Sequence, residues 1–171
     1  DQVMVTHGSQ EALYLFYRSY LKAGDHVITF KPGWQQSWEV PLNIGATVTA
    51  VQLRPENHYN LSIEDIKKAI TDKTRLLILN FPNNPTGASI EKHTLMALID
   101  LCQTHGIRII NDEEYLTDYQ QSTVNLCSKS CIVSSLSKVY GFPGLRVGWF
   151  IGPKDIVKDL VNYRRYTTVS N

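Results

Sequence analysis

Lys138 is the residue of this sequence best placed to act as a nucleophile. It lies in the segment Ser134 to Trp149, among Ser135, Ser137, Gly141, Pro143, Gly144 and Gly148. Small residues of this kind let backbone come close to a ligand. An unperturbed lysine, with a pKa near ~10.4, is a free amine in only roughly one molecule in a few thousand at neutral pH. Nucleophilic use therefore requires burial or neighbouring positive charge. Most lysines are instead solvated surface groups, and composition alone leaves that alternative open. Three other clusters carry polar residues at places where loops meet strand ends. They are His7-Gly8-Ser9-Gln10, Asn83-Asn84-Pro85-Thr86-Gly87 and Asn111-Asp112-Glu113-Glu114-Tyr115. Gly8, Ser9 and Gln10 open a predicted helix, where free N–H groups and the helix dipole favour an anion; Gly-Ser is also an ordinary cap. Asn84 before Pro85 is by itself a turn opener, and Asp112 by itself is a strand-end turn residue.

The elements that must position these residues alternate between strand and helix, which argues for an α/β fold with a largely parallel sheet. Short apolar, β-branched runs predict strands at 3–6, 26–30, 47–52, 75–80, 108–112, 131–134 and 147–151. Helical patterns fall at 10–21, 35–44, 63–70 and 90–105. Ser62 with Glu64 and Asp65 supplies a cap and early acids for the third helix, and Gly24 and Gly45 stand where helices should stop. A further helix is expected to run through Tyr163 toward Asn171 without a stop signal. In a parallel sheet, ligands bind outside the carboxyl ends of the strands, and the four polar clusters follow the first, fourth, fifth and sixth strands. No repeat or low-complexity linker interrupts the chain, which reads as one domain over residues 1–171.

Composition excludes several classes. The chain is 43% hydrophobic and 19% charged with a net charge of +1, values of an ordinary globular protein. Acids and bases are interleaved, which gives no surface for nucleic acid or an anionic membrane. The longest apolar runs, such as Leu76 to Leu79, fall far short of the roughly 18 residues of a membrane span. Cys102, Cys127 and Cys131 are odd in number and spaced for neither a disulfide framework nor a zinc site. No metal site is expected, and reduced thiols in a cytoplasmic protein are.

Ser135, Ser137, Lys138, Arg146 and Gly148 together resemble the Schiff-base lysine signature of the class I/II aminotransferases, enzymes of fold type I that depend on pyridoxal 5'-phosphate (PLP). Five fixed residues at about 5% usage each would coincide by chance in a chain of this length about once in ten thousand or more rarely. The rest of the chain is similar to the same family and in the same order. Asn83 to Gly87 resembles its asparagine-proline-threonine-glycine turn, and Asp112 with Tyr115 its strand-end aspartate and following tyrosine. Gly8 to Leu13 resembles its phosphate loop, and Pro32-Gly33-Trp34 its loop carrying an aromatic residue. The resemblance implies a three-layer α/β/α sandwich around a mainly parallel, mixed sheet of about seven strands, the large domain of a PLP-dependent transferase. It implies catalytic roles for Lys138, Asp112 and Tyr115. Lys138 would hold the cofactor as an imine and shuttle the α-proton. Asp112 would keep the ring nitrogen protonated so that the ring accepts electrons, and Tyr115 and Asn84 would bond its phenolic oxygen. Gly8, Ser9, Gln10, Ser135 and Arg146 would cradle the phosphate. Trp34 would stack on the ring; a core or interface tryptophan is the alternative.

The resemblance further implies amino-acid and 2-oxo-acid substrates and a homodimer of the full-length protein. Because the chain opens at Asp1 inside a strand pattern, it is expected to be a piece of a longer protein. The family's N-terminal segment and small domain, with its substrate-carboxylate arginine, would then lie outside it, and this piece alone is expected to turn over little. Departures from the family pattern are His7, read as a strand-end histidine held by backbone, and Glu114, which stands where an apolar residue is usual. Arg164 and Arg165 read as a solvated helix face. Other readings stay open: a carbon–sulfur lyase, an amino-acid cyclase or hydroxylase, a cyclopropane-forming synthase, or the PLP-sensing domain of a transcription regulator. The last would carry a helix-turn-helix before residue 1. A remnant that no longer binds cofactor is opposed by the intact set Asn84, Asp112, Tyr115, Lys138 and Arg146.

Overall fold

A computed structural model describes residues 2–168 of the chain. Seven strands form one sheet: β1 (Val3–Thr6), β2 (His26–Lys31), β3 (Thr47–Gln52), β4 (Thr74–Asn80), β5 (Arg108–Asp112), β6 (Cys131–Ser135) and β7 (Gly148–Ile151). Their order is β1-β7-β6-β5-β4-β2-β3. Neighbours from β6 through to β3 run parallel, and β7 runs antiparallel to both β6 and β1. The sheet is thus mixed and mainly parallel, as expected. Because β7 reverses direction twice over, β1 ends at the same edge of the sheet as β4, β5 and β6.

The helices are α1 (Gly8–Tyr20), α2 (Gln36–Ile44), α3 (Ile63–Ala69), α4 (Lys92–Thr104), α5 (Thr123–Leu126) and α6 (Lys154–Arg164). Alternate residues of the central strands face opposite layers, as a pleated strand requires. Val27, Leu76, Ile78, Ile110 and Val133 pack with Leu13 and Phe16 of α1 and Leu160 of α6. Ile28, Phe30, Leu77, Leu79 and Ile109 pack with Ile66 of α3 and Leu98 of α4. Two cores on two faces make three layers. Near-continuous apolar strands such as β4 follow from burial on both sides.

Local chemistry sets the helix ends. The Ser62 hydroxyl accepts the Asp65 N–H at 3.1 Å, and Gly45 closes α2 in a left-handed conformation at φ 94°. Helix α6 stops at Arg164 instead of running on as expected, although residues 169–171 of that expectation lie outside the described residues. Arg164 is not on a solvated face: its Nε lies 3.4 Å from Glu11 Oε1. All three cysteines are free and buried. Among the described residues, no helix is long and apolar enough to cross a membrane.

Gly148, at the start of β7, passes directly against the start of α1. A Cβ there would fall 2.4 Å from the Gly8 carbonyl carbon and 2.6 Å from the Ser9 nitrogen. Since the obstacle is backbone, Gly148→Ala is expected to lower stability by roughly 2 kcal/mol. Urea unfolding reads this, and a midpoint equal to that of the parent would remove the proposed close approach.

Candidate active site

The carboxyl edge of the sheet holds a cavity of about 210 Å³. Its lining includes Ser9 and Gln10 from the start of α1, Trp34 after β2, Asn84 after β4, Asp112 and Tyr115 at the end of β5, and Lys138 and Arg146 from the loop after β6. Residues far apart in sequence meet because each follows a strand ending at the same edge. Two of the expected residues stand outside the lining. Gly8 lies against Arg146, at φ 77°, where a Cβ would come 2.4 Å from a guanidinium nitrogen. Ser135 is buried; its hydroxyl donates to Glu114 Oε1 and accepts the Ser137 N–H at 3.0 Å. A serine has one proton to give, and in this structure Ser135 gives it to Glu114, while Ser137 lines the cavity.

Each lining group is held by its own element. Asn80, the last residue of β4, accepts the Asn84 N–H at 3.1 Å and donates to the Asp112 carbonyl at 3.4 Å. The Asn83 side chain accepts the Thr86 hydroxyl at 2.6 Å and the Thr86 N–H at 3.3 Å. The Asn-Pro-Thr-Gly turn is therefore tied to two strand ends at once. Arg146, itself at φ 51°, donates from Nη1 to the Pro143 carbonyl at 2.8 Å and to the Ser137 hydroxyl at 3.4 Å. Trp34, Tyr115, Lys138 and Arg146 are exposed at the cavity mouth, whereas Asp112 is buried.

Burial, and next the charge of Glu114, push the Asp112 carboxyl up to about 7; the Glu114 N–H, 3.2 Å from Oδ1, opposes this, and Glu113 adds a smaller push. Glu113, by contrast, is a structural pin. It accepts Ser122 Oγ at 2.7 Å, Thr123 N at 2.8 Å and Asn111 Nδ2 at 3.3 Å. It faces a second, larger cavity of about 350 Å³ that contains none of the expected site residues. His7 also stays outside the site: its N–H donates to Glu11 Oε2 at 2.6 Å, and its ring stands 3.7 Å from the same oxygen.

Five lining residues carried no expected site role: Leu13, Asn80, Glu114, Ser137 and Pro143. Asn80 had a signal, as the one polar residue closing the apolar run Leu76 to Leu79. Glu114 was visible only as an unusual acid. Leu13, Ser137 and Pro143 fell inside the segments singled out around the phosphate loop and Lys138, with no role of their own.

The sequence matches the family described as Aminotransferase class I and II over residues 1–171. The chain belongs to that family. It is 36% identical to the capreomycidine synthase of Streptomyces vinaceus, over 98% of this chain and 44% of that protein. It is also 36% identical to the arginine–pyruvate transaminase of Pseudomonas aeruginosa, over 95% of this chain and 43% of that protein. Among solved structures, a double mutant of Thermus thermophilus aspartate aminotransferase superposes with a TM-score of 0.92 at 31% identity, covering 99% of this chain and 46% of that one. The chain thus spans less than half the length of the relatives it matches.

The raised Asp112 carboxyl has a consequence for stability. Its folded pKa of about 7 lies above the unfolded value near ~3.9, so between those pH values the folded form holds a proton that the unfolded form releases. Stability from this group is present at low pH, falls as pH rises from about 4 to about 7, and stays low above that. Asp112→Asn is expected to stabilise the chain by roughly 2 kcal/mol at pH 8 and to leave it nearly unchanged at pH 4. Denaturant unfolding at both values checks this, and equal effects at the two would contradict it.

Proposed function

We propose that this chain is the cofactor-binding large domain of a PLP-dependent aminotransferase, which moves an amino group between an amino acid and a 2-oxo acid. The observation that carries the reading is the single cavity that gathers Ser9, Gln10, Trp34, Asn84, Asp112, Tyr115, Lys138 and Arg146. The donor set fits the cofactor. At one end, the Gly8 backbone, which a Cβ would block, lets the Arg146 guanidinium reach the start of α1, and a guanidinium beside helix N–H groups suits a phosphate. At the other end, Asp112 is a buried carboxyl that a protonated ring nitrogen would relieve of its desolvation.

When bound, PLP supplies an electrophilic carbon and an electron-accepting ring. The protein's residues supply the rest. Lys138 would hold the cofactor, and its amine would carry a proton to and from the substrate α-carbon. Asp112 would keep the ring-nitrogen proton in place. Tyr115 and Asn84 would hold the phenolic oxygen, and Trp34 would cover one face. The activity belongs to the whole protein, which we read as a cytoplasmic homodimer.

Incubation with PLP followed by borohydride reduction should fix one label on the peptide carrying Lys138, and Lys138→Ala should abolish it without loss of fold. A label on another lysine, or none, would sink the assignment. Arg146→Ala should weaken PLP binding by roughly ten- to a hundred-fold while leaving pyridoxal, which lacks the phosphate, nearly unaffected. Equal weakening of both ligands in an absorbance titration would argue against a phosphate role.

A further inference from the structure

We propose that Glu114 is a positioning residue of this cavity: a second buried carboxylate that acts on Asp112 and ties the end of β5 to the loop carrying Lys138. The inference rests on the cofactor reading for its consequence, but its geometry stands independently. Glu114 is 7% exposed and lines the cavity. Its N–H donates to Asp112 Oδ1 at 3.2 Å, and its Oε1 accepts the Ser135 hydroxyl. Ser135 in turn accepts the N–H of Ser137 at 3.0 Å, one residue before Lys138. A run of hydrogen bonds therefore links the Asp112 carboxyl, through Glu114 and Ser135, to the Ser137 backbone, one residue before Lys138.

The contrast with Glu113 separates this role from ordinary packing. Glu113 is satisfied by donors on both oxygens. Glu114 Oε2 is buried with no hydrogen-bond partner among the described residues. An oxygen left this way carries a desolvation cost that a structural role alone does not repay. Glu114 also lines the cavity that Lys138 and Arg146 line, and a buried acid beside a ligand site contributes to the field felt there.

The group most affected is Asp112. Acting on it are Tyr17 from α1 and Glu113 and Glu114 on its own turn, and Lys138, Arg146 and Tyr115 line the same cavity. After burial, the charge of Glu114 is the largest influence raising Asp112, and the Glu114 N–H at 3.2 Å opposes it. A cavity floor of two carboxyls holds the protonated form of a ring nitrogen more firmly than one would. Glu114 also occupies the only proton of Ser135, which leaves anion binding to Ser137, Arg146 and the start of α1.

The test is a carboxyl ¹³C NMR titration of the cofactor-free chain, with the Asp112 resonance assigned by its loss in Asp112→Asn. Glu114→Gln keeps an acceptor for Ser135 but removes the charge, and it should lower the Asp112 midpoint by about one pH unit. Glu114→Met, of similar length and uncharged, serves if the amide disturbs folding. Ser135→Ala keeps the charge but cuts the tie. It should leave the Asp112 midpoint raised while amide exchange at Ser137 and Lys138 quickens by about five-fold or more. An Asp112 midpoint that stays near 7 in either folded Glu114 variant overturns the action on Asp112. Unchanged exchange in Ser135→Ala overturns the tie. Because the chain is titrated empty, failure of the Lys138 label would leave these results standing, and failure here would leave the cofactor reading standing.

Discussion

A carboxyl group buried at the end of a parallel strand is the constraint around which this chain is arranged. Asp112 continues β5, whose Ile109 and Ile110 sit in the two cores, so its backbone cannot turn outward to hydrate the side chain. A desolvated carboxyl must hold a proton or meet a cation. The neighbouring elements keep that problem in place instead of relieving it. Asn80 bonds the Asp112 carbonyl and the Asn84 N–H together, which locks the turn after β4 to the same strand end. Glu114 places a second acid beside the first. The end of β5 is left with two buried acids side by side.

The opposite end of the cavity depends on backbone proximity. Antiparallel β7 lies between β1 and β6, and Gly148 brings it against Gly8 and Ser9 with no room for a side chain. The same missing atoms at Gly8 admit the Arg146 guanidinium. Arg146 itself adopts a left-handed backbone, a conformation that costs a non-glycine residue of order 1 kcal/mol. Its bonds to Pro143 and Ser137 over-determine that geometry, as is common where a side chain must be aimed.

The parts of this design that were legible in the sequence are those with a local cause. Strands such as β4 announced themselves through unbroken apolar runs, α3 through Ser62, and the end of α2 through Gly45. The order of polar clusters after strands 1, 4, 5 and 6 was enough to place a site at one edge. What stayed hidden depends on long-range competition. The contact between the Ser135 hydroxyl and Glu114 joins residues 21 apart, and nothing local to either residue signals it. Arg164 looked solvated because its partner, Glu11, is 153 residues away in sequence. Helix α5, four residues long, is too short to leave a period.

Charge is therefore separated across the cavity: acids where β5 ends, and the Arg146 guanidinium with helix N–H groups where α1 begins. A ligand that is cationic at one end and anionic at the other gains at both, whereas an anion reversed in the cavity meets Asp112 and Glu114. The site thus selects an orientation as well as a ligand. Lys138 lines the same cavity as both charged ends, so a ligand oriented by them would present its middle to that amine.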